Sequence, residues 1–178
     1  MAELVTRVLG PADVAALRRV DERCVVEGQL TLRYDHGEDW FRWPALCFDR
    51  SLYVGAEQGG ELVGFGMIGG FEGRVEGARG RCFYTGDARV LPGWRRVGVI
   101  DRVVTEGIDQ LWPDTHDGYG IVMQGNLAGE RMAAAVSARP AFPGVASGTL
   151  HAAVLPVIRR LRPVEGIEVR AAKAADAA

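Results

Sequence analysis

At 178 residues, 48% hydrophobic and 25% charged, the chain suits one globular domain with a core of its own. Its net charge of −2 gives no electrostatic case for nucleic acid, and no run approaches the ~18 apolar residues that span a bilayer. With no signal-peptide pattern and an odd, widely spaced set of cysteines (Cys24, Cys47, Cys82), the expected setting is the cytoplasm, with the thiols free and buried.

Leu4 to Leu9 reads as a first strand. Pro11 and Asp13 suit the first turn of a helix that turns Val14, Leu17, Val20, Cys24 and Val25 toward a core and stops at Gly28. A loop comes next, then a short second helix carrying Trp40, Phe41, Trp43, Leu46 and Cys47, which Pro44 should interrupt or kink. These aromatics suit either core packing or a substrate wall. His36, His116 and His151 share no ligand spacing with each other or with the cysteines, so no metal site is expected.

Leu52, Val54 and Ala56 alternate with Tyr53, Gly55 and Glu57. Gln58-Gly59-Gly60 then makes a turn and Leu62 to Phe71 returns, a β-hairpin pattern. Inside the second strand, Gly64-x-Gly66-x-x-Gly69 matches the dinucleotide fingerprint as letters. That fingerprint must open a helix, and Gly69, Gly70, Gly73, Gly77 and Gly80 make the next segment a poor one, so a nucleotide-dependent oxidoreductase is the weakest reading. Gly73 to Gly80 is expected to be a loop and Arg81 to Leu91 a long strand.

The chain then turns through Pro92-Gly93-Trp94-Arg95-Arg96-Val97-Gly98 into a segment in which Val99, Ile100, Val103, Val104, Ile108, Leu111 and Trp112 share one helical face and Pro113 closes the run. A helix N-terminus offers unpaired N–H groups and the positive end of the macrodipole, and two arginines stand beside this one, a pattern that suits a phosphate. An ordinary turn with two solvated arginines fits the same letters. Further on, Tyr119 to Met123 reads as a strand. Asn126 is placed to cap a helix that runs to about Ala138 before Arg139-Pro140, and Ser147 to Val154 reads as a last strand.

The run Val90-x-Pro92-x-Trp94-Arg95-x-x-Gly98 resembles the GNAT superfamily of acyl-CoA-dependent N-acyltransferases. Their signature, Gln/Arg-x-x-Gly-x-Gly/Ala between the fourth strand and third helix, cradles the pyrophosphate of coenzyme A. Arg95 and Gly98 fit the first two positions. Ile100 stands at the third and Arg96 where glycine is common, so crowding of the turn is expected there. The resemblance covers about residues 4–156. It implies an α/β (α+β) fold, a mixed central sheet with helices on both faces, and acetyl-CoA as donor to the primary amine of a small molecule or peptide.

By the same resemblance the cofactor would be held by Val90, Leu91, Trp94, Arg95, Arg96, Val97, Gly98 and Val99, with a main-chain N–H near Val90 facing the oxyanion. Asn126 matches an asparagine that contacts the cofactor in the family. Asp87 and Glu57 are the candidate bases, acting directly or through water, and the plainer reading of each is a surface acid. The family's tyrosine seven residues beyond the asparagine is Ala133 here, which leaves Tyr84 and Tyr119 as candidate acids, and the Gly-Phe after the fourth helix becomes Ala141-Phe142. The alternative is therefore a degenerate, non-catalytic domain that supports a second, active one.

Arg159, Arg160, Arg162 and Pro163 give residues 157–166 a linker character. After it, Ile167 to Ala178 lines up with Leu4 to Ala15 at a constant offset, pairing Arg170 with Arg7, Ala175 with Ala12 and Asp176 with Asp13. Residues 1–156 are thus expected to form the GNAT-like domain and 167–178 the start of a second copy. Neither the acceptor nor the oligomeric state is legible.

Overall fold

The computed structural model describes residues 3–24, 34–75, 77–113, 115 and 117–137. The chain divides into two units, Met1–Val145 and Ala146–Ala178. The second lies outside the described residues, and with it the expected strand over Ser147 to Val154, the linker and the repeated segment. Val25, Gly28, Ala138, Arg139, Pro140, Ala141 and Phe142 also lie outside them.

Alternating apolar residues build β1 (Val5–Leu9), β2 (Arg50–Gln58), β3 (Glu61–Val75) and β4 (Ala78–Val90), joined antiparallel in the order β1-β2-β3-β4; the short β5 (Gly118–Gly120) adds to β4 in parallel. Between β2 and β3 the turn residues Gly59 and Gly60 both have positive φ, 58° and 83°, the backbone that a two-residue hairpin needs and glycine supplies. The loop expected from Gly73 to Gly80 is instead the tip of a second hairpin, with Gly73 paired to Gly80, Arg74 to Arg79 and Val75 to Ala78. Cross-strand pairing continues to the turn and outweighs the low strand propensity of glycine. β5 is shorter than its expected span to Met123 and pairs only with Phe83–Thr85.

α1 (Val14–Glu22) comes after a single 3-10 turn at Pro11–Asp13 and buries Leu17 and Val20 on one face of the sheet, against Leu9, Tyr53, Phe65 and Met67. α3 (Val99–Leu111) covers the other face and buries Val99, Val103, Val104, Ile108 and Leu111 against Val54, Ala56, Val63, Ile68 and Phe83. Helices therefore lie on both faces of a mixed sheet. Pro44 does not break α2 (Arg42–Cys47): it is the third helical residue, where no N–H partner is needed, and its carbonyl accepts the Phe48 N–H at 3.0 Å. α4 (Leu127–Ser137) is capped as expected, the Asn126 Oδ1 accepting the Gly129 N–H at 3.0 Å.

The glycines of the false fingerprint lie in β3, which runs on to Val75, so no helix opens after Gly69 and the oxidoreductase reading falls. Their use is close approach. A Cβ on Gly64 would sit 2.7 Å from a Val99 methyl and 2.9 Å from the Arg89 carbonyl; one on Gly66 would be 3.1 Å from Val103. Further along α3 the relation reverses, and Gly107 makes room for Ile68. Helix and strand thus interlock, small against large, and α3 is drawn onto β3 with its N-terminus at the end of β4. Gly64→Ala should cost about 1–3 kcal/mol, because a backbone carbonyl cannot move aside as a side-chain tip can. A denaturant midpoint unchanged by this substitution would show that α3 is free to shift outward.

The cysteines depart in part from expectation. All three are free, and Cys24 and Cys82 are buried, with burial pushing both thiols above their ordinary value. Cys47 is exposed, because it ends a helix too short to turn every apolar residue inward; Trp43 and Leu46 of the same helix are exposed with it.

Candidate active site

Pairing between β4 and β5 stops at Thr85 and Gly120, so β4 continues to Val90 with no strand paired on that edge among the described residues. At this point β4 also bulges: Asp87 and Ala88 together oppose Gly66, and Asp87 takes a positive φ of 48°. On the other edge the Leu91 N–H donates to the Val63 carbonyl at 3.0 Å. Strand alternation then directs the Val90 N–H to the open edge. The Val90 carbonyl there accepts from Arg95 Nε at 3.3 Å.

Beyond Val90, Pro92–Trp94 form a 3-10 turn, Arg96 and Gly98 both adopt left-handed backbone (φ 69° and 81°), and α3 begins at Val99. The turn lays Arg95, Arg96 and Val97 on the surface beside the N-terminus of a 13-residue helix with no side-chain cap. A Cβ on Gly98 would meet nothing within 4 Å, so the space in front of the helix is open. The Ile100 side chain is half-buried and packs against the core under α3. Arg96 carries the left-handed conformation that a glycine would have taken, its side chain exposed. Main-chain N–H groups at the start of α3 and two exposed arginines thus stand together at this turn, an arrangement that suits an anion.

On the α1 face of the same strand end the structure gathers charges that sequence spacing did not connect. Arg89, 6% exposed, pairs with Asp21 of α1 at 2.8 Å and with Asp87 at 3.1 Å, and its guanidinium lies 5.6 Å from the Tyr34 ring centre. Asp87 also accepts the Tyr53 hydroxyl at 3.0 Å and lies 3.4 Å from His36 Nε2. Burial, then the Asp87 charge, raises the Tyr53 hydroxyl well above the ordinary phenol range, so Tyr53 remains a donor to Asp87. The His36 ring stacks on buried Trp40, centres 3.8 Å apart. A cavity of about 360 Å³ opens beside this stack, lined by Asp21, Glu22, Tyr34, Asp35, His36 and Trp40 among others.

The sequence-derived candidates separate accordingly. Asp87 is a largely buried member of this cluster rather than a surface acid, its side chain 12% exposed. Tyr84, on the same strand, lies over Gly86, where a Cβ would meet its hydroxyl at 2.6 Å; burial raises the phenol. Tyr119 of β5 is its neighbour, with ring centres 5.2 Å apart, and is exposed. Ala133 is half-buried on α4.

Glu57 is engaged elsewhere: Arg7 bridges it at 2.6 Å to Asp13 at 2.7 Å, tying β1, β2 and the turn before α1. Hydrogen bonding from Arg7 holds the Asp13 carboxyl below its usual range. A depressed folded value stabilises above the ordinary carboxylate pKa of about 3.9 and is lost as pH falls through the folded value. In this half-exposed setting the effect is expected to be under about 1 kcal/mol. Arg7→Met should remove it, seen as a flatter loss of melting temperature between neutral and strongly acid pH.

Compared with protein-family models and with curated protein sequences, the chain matches none. Solved structures match it in fold. An aminoglycoside N-acetyltransferase in complex with CoA is 14% identical over 86% of this chain and 96% of that one, with a TM-score of 0.61. Glucosamine-6-phosphate N-acetyltransferase from Arabidopsis thaliana is 12% identical over 86% and 98%, TM-score 0.55. A GNAT family acetyltransferase from Brucella melitensis in complex with acetyl-CoA is 19% identical over 70% and 79%, TM-score 0.52. The chain has the GNAT acetyltransferase fold. In this GNAT fold the helix after β4 is α3, so the Arg95–Gly98 turn occupies the junction to which the resemblance assigned the phosphate cradle.

His36, Tyr53, Arg89, Asp21 and Tyr34 are the members of the site that sequence reasoning missed. No local pattern marks them. They come from α1, the segment before α2, β2 and β4, and only pairing across the sheet brings them together.

Proposed function

We propose that the domain transfers an acetyl group from acetyl-CoA to the primary amine of a small molecule or peptide. The observation that carries this reading is the junction itself: a β4 edge that no described strand pairs leads directly into a cationic helix N-terminus with no side-chain cap and with open space at Gly98. The donor supplies an activated thioester. The chain anchors its pyrophosphate through the main chain of Trp94 to Val99, with Arg95 and Arg96 as counter-charges, and Asn126 adds a polar contact from the start of α4. The Val90 N–H, facing the open edge, donates to the carbonyl oxygen as charge builds there, and Leu91 fixes it by holding β4 to β3.

Asp87 is the carboxylate of the acceptor side, and Tyr84, kept protonated by burial, is the hydroxyl on the same strand that serves as proton donor. Glu57 has no part, because Arg7 holds it in a structural bridge. A cytoplasmic setting accords with the free thiols; no described helix is long and apolar enough to cross a membrane.

Calorimetric titration with acetyl-CoA, with free pantetheine as the control lacking nucleotide and pyrophosphate, tests the reading. Micromolar binding of acetyl-CoA with pantetheine far weaker is the expected result. No detectable binding would discard it in favour of a non-catalytic domain that supports a second one.

A further inference from the structure

The cavity beside α1 holds a titratable group that plays no part in the acetyltransfer scheme. His36 Nε2 is buried with no hydrogen-bond partner, 3.4 Å from Asp87 Oδ2, and the face of the ring is fixed by the stack on Trp40. Asp87 is in turn held on two further sides, by the Tyr53 hydroxyl and the Arg89 guanidinium. A carboxylate held by the Tyr53 hydroxyl and the Arg89 charge and facing one imidazole nitrogen selects the tautomer with the proton on that nitrogen. Nδ1 then carries the lone pair, and His36 lines the cavity. The contact is longer than a good hydrogen bond, as such pairs often are before a substrate closes them.

Position and charge agree with this arrangement. Asp87, which His36 faces, sits in the β4 bulge just past Thr85, where the pairing with β5 stops, in the same strand end as Val90. Among the described residues around the cavity and its floor, Asp21, Glu22, Asp35 and Asp87 outnumber Arg18 and Arg89, which favours an amine arriving as an ammonium ion. Tyr34 and the His36–Trp40 stack give it aromatic walls.

We propose that His36, oriented by Asp87, is the catalytic base that deprotonates a cationic primary amine bound in this cavity. The assignment rests on the acetyltransfer reading. The ammonium gives one proton to His36 Nδ1. The freed lone pair forms the C–N bond to the acetyl carbon, the C–S bond breaks, and the thiolate departs with its electron pair. A second N–H proton passes to that thiolate, through Tyr84 or solvent. His36 returns its own proton to solvent, leaving an amide, a free thiol and one proton.

The test measures thiol release from acetyl-CoA with cadaverine and tyramine as probe amines, beside calorimetric acetyl-CoA affinity. His36→Phe, which keeps an aromatic ring on Trp40, should bind acetyl-CoA within twofold of wild type and lose about 100-fold or more in turnover. His36→Ala should lose as much and recover part of it on addition of free imidazole, which a purely structural role of the ring would not produce. Turnover of His36→Phe within threefold of wild type, or His36→Ala that imidazole does not restore, overturns the assignment and leaves acetyltransfer standing. Wild type that binds no acetyl-CoA, or acetylates neither probe, overturns the acetyltransfer reading and His36 with it.

Discussion

Gly98→Glu is expected to abolish acetyl-CoA binding while the domain stays folded. Gly98 is the residue before α3, its φ is 81°, and the direction of its missing Cβ is open for 4 Å. A carboxylate placed there would face the same space as a bound pyrophosphate. Two like charges about 4 Å apart near a protein surface repel by about 4 kcal/mol, close to a thousandfold in affinity. The left-handed backbone costs a non-glycine residue only about 1–2 kcal/mol, within the margin of an ordinary domain. Gly98→Asn separates the two effects, since asparagine tolerates this conformation and carries no charge. It should bind nearly as wild type does, and a calorimetric affinity for Gly98→Glu equal to that of Gly98→Asn would remove the phosphate site from this turn.

Arg89→Leu should be the most destabilising single change in the described residues. The guanidinium is 6% exposed and serves two carboxylates, Asp21 and Asp87, whose side chains are 9% and 12% exposed. Removing one partner from a buried ion cluster costs about 3–5 kcal/mol, chiefly because the charges left behind lose their compensation without regaining water. That is a large share of the roughly 5–15 kcal/mol that holds a domain together. Arg89→Lys should be nearly as harmful, because one ammonium cannot reach both acids in the forked geometry that a guanidinium provides. The further substitutions Asp21→Leu and Asp87→Asn should return much of the loss. A denaturant midpoint for Arg89→Leu close to wild type would mean that water already reaches the two acids.

Local chemistry in the chain carried much of this architecture. Two adjacent glycines at 59 and 60, the apolar face from Val99 to Leu111, and Asn126 before α4 each have one favourable backbone solution, and the structure adopts it. The turn before α3 was legible for the same reason: Arg95 and Gly98 lie three residues apart in a single connection between elements. Where glycine was read by propensity the reading failed. Gly73 to Gly80 forms a hairpin because its partner strand supplies the hydrogen bonds.

The surroundings of the two candidate acids were not legible. Asp87 and Glu57 looked alike as isolated acids. Their fates divide only because β1 brings Arg7 to Glu57, while the β4 bulge turns Asp87 toward Tyr53 and His36. The sequence by itself determined the β2–β3 hairpin, the apolar face of α3 and the cap of α4, each set by residues within a few positions of one another. Tertiary structure alone decided which charges are buried together, because Asp21, His36, Tyr53 and Arg89 meet only when α1 and the 34–40 segment close over the folded sheet.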